Sequence, residues 1–279
     1  MYKRQGQNGA EWKGLSFTDD CATTGGTDDR HVFSYVDFKN TSTAAISAGS
    51  RHGDYNAYCV DSSGGTRPCY SNNNVGNFTL SHVTFTNVET AIRHGSGQGT
   101  GFTMNEFSIS GADKACINLP SSSNAMITEG TMTNCNTDGE SWGGAIVNYP
   151  GSTGGMLHVE NVTIENAYVN LIDTDLQHVT ISNVTATITS GSQQTGTVLT
   201  SDFGVASEVK LNNFVADDYS SASINALGHI NMTDVDWGSA DLTIAPGGSS
   251  STANGPSGDH AIMDDVTCLL YTSDAADEC

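Results

Sequence analysis

Basic residues are scarce in this chain: 10 Lys+Arg stand against 31 Asp+Glu, a formal net charge of -21. A surface of that sign repels phosphate backbones and anionic headgroups, which excludes nucleic acid and anionic membranes as partners. No secretory leader, membrane span or capping element is visible, and no direct membrane insertion is expected of this segment. No C-x-x-C pair or histidine cluster offers zinc a site, and no regular acidic nonapeptide offers calcium one. No cofactor is therefore expected; calcium is the one cation that the acidic surface would weakly attract.

What the chain has is repetition. A phrase of apolar, x, apolar, x, Asn or Asp, then Val or Phe recurs in MLHVENVTI (156–164), HVTISNVTA (178–186), VKLNNFVA (209–216) and HINMTDVDW (229–237). Taking the residue after the Asn/Asp slot as an anchor gives Val36, Val83, Phe107, Thr131, Val162, Val184, Phe214, Val235 and Val266, spaced 47, 24, 24, 31, 22, 30, 21 and 31 residues apart. The 47 reads as about two periods. A step of about 26 residues is too short for a compact domain and suits one turn of a solenoid, in which each turn buries its apolar side against its neighbours.

Apolar residues fall five and three places before the anchor, as at Leu157 and Val159 or Val209 and Leu211. They fall again at the anchor and two places on, as at Val162 and Ile164. Period two means strand, and the slip in phase between the two runs demands a bend. It lies just before the anchor, at Asn161, Asn183, Asn213, Asp234, Asp265 and Gly130, residue types that tolerate a left-handed backbone. Tyr35, His82 and Glu106 break that pattern. A third short strand is predicted at Ala45-Ile46, Ala91-Ile92, Ala115 to Ile117, Ala145-Ile146, Ala222 to Ile224 and Leu242 to Ile244.

With three strands per turn, the chain resembles the right-handed parallel β-helix, the pectate-lyase-like superfold, over roughly residues 12–267. Trp12-Lys13-Gly14-Leu15-Ser16-Phe17 is similar to the W-x-G-I-x-F strand of that family's surface proteins. The resemblance implies an all-β, single-stranded right-handed β-helix of about nine or ten three-strand turns, in one domain over 6–267. It carries little chemistry, because this fold hosts lyases, hydrolases, adhesins and phage spikes. Of the hydrolase signatures (N-T-D, D-D, G-H-G, R-I-K), only Asn136-Thr137-Asp138 has a counterpart. A lyase would need an Arg or Lys base beside acid-bound calcium, roles for which Arg51 or Arg93 with Asp54 and Asp61 are candidates without any spacing that enforces them. No catalytic residue is assigned.

Residues 1–5 and 268–279 read as translated sequencing adapter, which makes the chain an expected piece of a longer protein. Setting aside Cys268 and Cys279 leaves Cys21, Cys59, Cys69, Cys116 and Cys135. Cys59 and Cys69 bracket the loop VDSSGGTRP, and a bridge between them would point to an oxidising, extracellular compartment. Cys116 reads as a small core residue that need not face Cys135. Of five N-x-S/T sequons, Asn161 and Asn183 are explained as bend asparagines, which leaves Asn40 and Asn77 as the expected glycan acceptors ahead of Asn231. His178, His229 and His260, each six places before an anchor, and His158, four before, read as repeat grammar, a stacked column at a strand entrance. The acid pairs Asp19-Asp20, Asp28-Asp29, Asp173-x-Asp175 and Asp264-Asp265 read as turn residues.

One region escapes the grammar. The interruptions at 47–77 and 93–100 both follow a third strand and should leave along the same edge. They hold Arg51, His52, Asp54, Tyr55, Tyr58, Arg67, Tyr70, Arg93 and His94, and Asn118 and Asn148-Tyr149 would extend that edge. Guanidinium forks pair with carboxylate or sulfate and tyrosine rings stack on pyranose faces, so a polysaccharide is the expected ligand. The functional expectation is a secreted or cell-surface stalk, adhesive or polysaccharide-binding module; a carbohydrate-active lyase or hydrolase is the alternative.

Overall fold

The computed structural model describes residues 12–17, 30–48, 58–60, 66–68, 77–94, 101–119, 124–148, 155–174, 176–188, 194–195, 208–217, 219–226, 229–238, 240–246 and 261–267. These residues form strands and turns and no helix. The strands are β1 (Leu15–Phe17), β2 (Arg30–Ser34), β3 (Asp37–Ala48), β4 (Tyr58–Val60), β5 (Thr66–Pro68), β6 (Asn77–His94), β7 (Gly101–Leu119), β8 (Asn124–Cys135) and β9 (Gly144–Asn148). There follow β10 (Met156–Ala167), β11 (Asn170–Asp173), β12 (His178–Thr187), β13 (Gln194–Thr195), β14 (Glu208–Asp217), β15 (Tyr219–Ala226), β16 (Ile230–Asp236), β17 (Asp241–Pro246) and β18 (Ala261–Thr267).

A 13-stranded sheet runs in the order β1-β3-β6-β7-β8-β10-β12-β14-β16-β18, with a 3-stranded sheet β13-β15-β17 and a separate hairpin of β4 and β5 beside it. Apart from that antiparallel hairpin, every strand pairing among the described residues is parallel. Parallel neighbours must be joined by a crossover, and here the crossover is the rest of each repeat.

The register stacks like on like. Phe78, Phe102, Ala125, Leu157, Val179, Val209 and Ile230 share one position across successive strands, and Leu80, Met104, Ile127, Val159, Ile181, Leu211 and Met232 share the next inward one. All are buried. The predicted third strands also line up: Ile46, Ile92, Ile117, Ile146 and Ile172 form one buried column. Among the described residues, β11 and β13 are third strands that the sequence pattern did not announce, and β1, expected as a strand from its Trp12–Phe17 motif, takes the third-strand place by pairing with Ile46 to Ala48. Gly14 lets β1 approach, because a Cβ there, at φ 72°, would lie 2.0 Å from the Ala44 carbonyl oxygen.

The expected bend exists, and it is more general than the asparagine rule. Tyr35, His82, Glu106, Glu129, Asn161, Asn183, Asn213 and Asp234 all adopt left-handed backbone, with φ between 48° and 57°. Tyr35, His82 and Glu106 depart from the pattern in chemistry while obeying it in conformation. In the fourth repeat the anchor is Gly130, in register with Phe107 and Val162, and the bend falls on Glu129; the expected anchor Thr131 is one residue out. The misassignment has a packing cause: the Phe107 ring fills the space where a Gly130 side chain would be, 2.2 Å from an added Cβ. The glycine sits at the anchor, hidden from any apolar pattern.

A second corner follows four residues after the anchor, at Asn40, Asn87, Gly111, Asn134 and Asn166, again with positive φ. It divides the second strand from the third. Asn40 is thus a corner asparagine like those at Asn161 and Asn183, so the distinction that favoured it as a glycan acceptor does not hold. Asn40 and Asn77 are both exposed, and the Asn77 side-chain oxygen accepts the Gly101 N–H at 2.8 Å.

Two further corrections concern spacing and cysteine. The 47-residue step is one repeat, not two: Val32 lies opposite Thr79 and Asp37 opposite Thr84 with nothing between them. Cys116 and Cys135 are joined by a disulfide, with Cα atoms 5.3 Å apart and both residues fully buried. Cys135 occupies the same inward column as Ala112 and Ala167, just past the second corner. From there it meets the third strand of the preceding repeat across the interior, a contact that strand alternation along the sequence cannot show.

Candidate functional site

Stacking the first corner places Tyr35, His82, Glu106, Glu129, Asn161, Asn183, Asn213 and Asp234 in a single outward column, about 4.8 Å from one to the next as parallel strands require. Its second half is a ladder of amides. Asn213 Nδ2 donates to Asn183 Oδ1 at 2.9 Å, and Asn183 Nδ2 to Asn161 Oδ1 at 3.0 Å. Asparagine is the cheapest non-glycine occupant of this backbone region, so both conformation and hydrogen bonding favour it here.

The first half is built differently. The exposed Tyr35 ring stacks on His82, with centroids 4.4 Å apart and planes 11° from parallel. His82 Nδ1 contacts Glu106 Oε2, and both side chains are about half exposed. Glu129 accepts a hydrogen bond from Asn161 Nδ2 at 2.6 Å, which joins the two halves. Left-handed backbone costs a residue with a Cβ roughly 1–2 kcal/mol, and a bulky aromatic in it is an outlier. Four consecutive corners, Tyr35 to Glu129, accept that cost.

A shallow, open depression lies along the column from His82 to Asn161 and is floored by Val83, Phe107 and Gly130. Its other rim is a row of hydroxyls from Thr84, Ser108 and Thr131, in register with Thr163 and Thr185 beyond. Thr131 Oγ1 donates to Ser108 Oγ at 3.2 Å, and Thr84 donates to Asp37. The site therefore offers an aromatic face, an imidazole, two carboxylates and a line of hydroxyls on rigid sheet. No Lys or Arg among the described residues pairs with Glu106 or Glu129; the lysine bridges run from Lys39 to Asp37, Lys114 to Glu89 and Lys210 to Glu208.

The arginine- and tyrosine-bearing edge is only partly in view. Arg51, His52, Asp54, Tyr55, Asp61 and Tyr70 lie outside the described residues, as do Cys21 and Cys69 and with them the expected Cys59–Cys69 bridge. Tyr58 and Arg67 fall on the β4–β5 hairpin, opposite Pro68 and Cys59. Arg93 is half-buried on β6, in register with Ser47 and Asn118, and Ala48 lies opposite His94. The interruptions at 47–77 and 93–100 thus leave from adjacent strand ends. Asn118 and Asn148 are buried, so they do not extend an exposed edge.

Other candidates resolve into scaffold. Asn136 is buried and holds its own turn, donating to the Glu140 and Tyr168 carbonyls at 2.9 Å and accepting from the Glu140 N–H at 2.9 Å. Among the described residues His178 and His158 stack on no like residue: His178 lies between Met156 and Glu208, and His158 contacts Glu160 at 3.3 Å, while His260 lies outside the described residues. No three His, Cys, Asp or Glu side chains among the described residues gather where they could hold a metal ion. Tyr35, His82 and Glu106 were assigned no site role from the sequence, although their departure from the asparagine rule was the available signal, and Glu129 was hidden because the bend was expected at Gly130. No protein-family model, curated protein or solved structure matches this chain.

Proposed function

We propose that this chain is a three-sided, right-handed parallel β-helix of the pectate-lyase-like kind. It is secreted or displayed at a cell surface and acts as a stiff, polysaccharide-binding module of a larger protein. In-register parallel pairing, with one left-handed corner in each repeat and a second in the first five, supports the architecture. The buried Cys116–Cys135 disulfide supports an oxidising compartment, and the acidic surface supports solubility outside the cell.

The observation that carries the binding role is the corner from Tyr35 to Glu129. There, residues that strain the backbone replace the asparagines that would relieve it, beside a depression and a hydroxyl row. Strained non-glycine residues cluster where function over-determines them. The loop at 47–77, with Arg51, His52, Asp54, Tyr55, Tyr58, Arg67 and Tyr70, together with Arg93 and His94, forms a second contact edge suited to carboxylated or sulfated sugars. A glycan array probed with this chain tests the role: retention of one or more polysaccharides supports it, and an array without retained glycan refutes it.

The depression also favours a second reading. Glu106 and Glu129 on neighbouring strands, with His82 in contact, are the paired acids and proton carrier that glycoside cleavage uses. Reducing ends, or ultraviolet absorbance from an unsaturated product, released by the chain and lost in Glu129→Gln would establish it.

A further inference from the structure

We infer that the Tyr35–Glu129 corner takes a glycan carrying free amino groups, an inference that rests on the polysaccharide-binding reading and narrows its ligand. Charge comes first. The chain carries a net -21, and at this corner two solvent-accessible carboxyl groups occupy adjacent ranks with no lysine or arginine among the described residues bridged to them. An anionic sugar would meet repulsion here, whereas an ammonium group finds acceptors at Glu106 and Glu129.

Geometry comes second. Ranks follow one another at about 4.8 Å, roughly the length of one pyranose unit, so a chain laid along the column presents one sugar per strand. Tyr35, the exposed aromatic at the first described rank of the column, is held flat by its stack on His82 and leaves its other face for a sugar ring or an ammonium group. Thr84, Ser108 and Thr131 run parallel to the carboxylates and suit ring hydroxyls. A basic peptide would satisfy the carboxylates and leave that hydroxyl row unused, which favours a sugar.

The test measures affinity by calorimetry for an oligomer of glucosamine, with the N-acetylated oligomer, an oligogalacturonate and an oligolysine of equal charge as comparators. The glucosamine oligomer should bind tightest and lose affinity as salt rises. Glu106→Asn and Glu129→Asn keep a corner residue that this backbone already accommodates at Asn183, so they should fold. Each should weaken binding up to about fivefold, and Tyr35→Asn by a similar factor. Glu208→Gln, remote from the corner, should change nothing. Equal binding of the acetylated oligomer or of oligolysine overturns the inference, as does glucosamine binding that survives both glutamate changes. If only oligogalacturonate binds, the module still binds polysaccharide and this corner is not the reason. If no sugar binds, the broader reading fails with it.

Discussion

One corner of the repeat is built two ways. From Asn161 to Asn213 it is a ladder of amides that cap one another, in the backbone conformation asparagine accepts at least cost. From Tyr35 to Glu129 the same backbone holds an aromatic, an imidazole and two carboxylates, at φ values indistinguishable from those of the asparagines. Identical geometry with opposite chemistry separates what the scaffold requires from what it carries. The amide half is what repetition selects, and the Tyr35–Glu129 half is what repetition alone does not explain.

The strongest break in the comparison is covalent. Cys116 and Cys135 belong to the Tyr35–Glu129 half, and the disulfide closes a segment of sequence separation 19, worth about 3 kcal/mol by chain-entropy reasoning. Cys116→Ala/Cys135→Ala should lower stability by that amount in denaturant titration. Hydrogen exchange should then show β7 and β8 opening before β12 and β14; uniform opening would remove any special dependence of this half on the bridge. Next comes Gly130→Val, which drives a side chain into the Phe107 ring and should cost about 2–3 kcal/mol. Pairing it with Phe107→Ala should recover part of the loss, which a double-mutant cycle would read as coupling.

In the amide half, Asn183→Ala removes hydrogen bonds to both neighbours and puts a poorer residue in left-handed backbone. A loss of about 1–2 kcal/mol is expected. The reverse exchange sharpens the contrast most directly: His82→Asn, Glu106→Asn and Glu129→Asn extend the ladder, and each should raise stability by about 0.5–1 kcal/mol while weakening binding. If they destabilise instead, the strained corner is not a cost borne for function.

The smallest effect lies in the amide half's interior. Tyr219 is buried with its hydroxyl unpartnered, and that burial pushes its phenol above the ordinary tyrosine range. A group whose folded pKa is raised contributes stability that is present below its unfolded value and lost as pH rises past it, from about pH 10. Tyr219→Phe should be close to neutral or slightly stabilising at pH 7 and should lose less stability than the parent in alkaline denaturation.

Much of the architecture was legible because solenoid-like repetition writes tertiary contacts into sequence spacing. Leu157, Val179 and Val209 recur at one place in the phrase because they stack on one another, and the bend asparagines recur because the chain turns there. Reading failed where one residue's role was taken by another's. Gly130 hid an anchor because Phe107 fills its place, and the 47-residue step looked like two repeats because an insertion imitates a period. Asn40 passed for a free surface asparagine until Asn87, Asn134 and Asn166 showed the second corner.

Spacing along the chain specifies which residues lie one above another, since each repeat must bury its apolar side on the next, and that was enough for strands, the first corner and the all-β class. Contacts across the interior and along the outer column have no such period. Cys116 meets Cys135, Tyr35 stacks on His82, and Glu129 accepts from Asn161 only once the repeats are superimposed in space, because those pairs depend on where side chains point after the corners are turned.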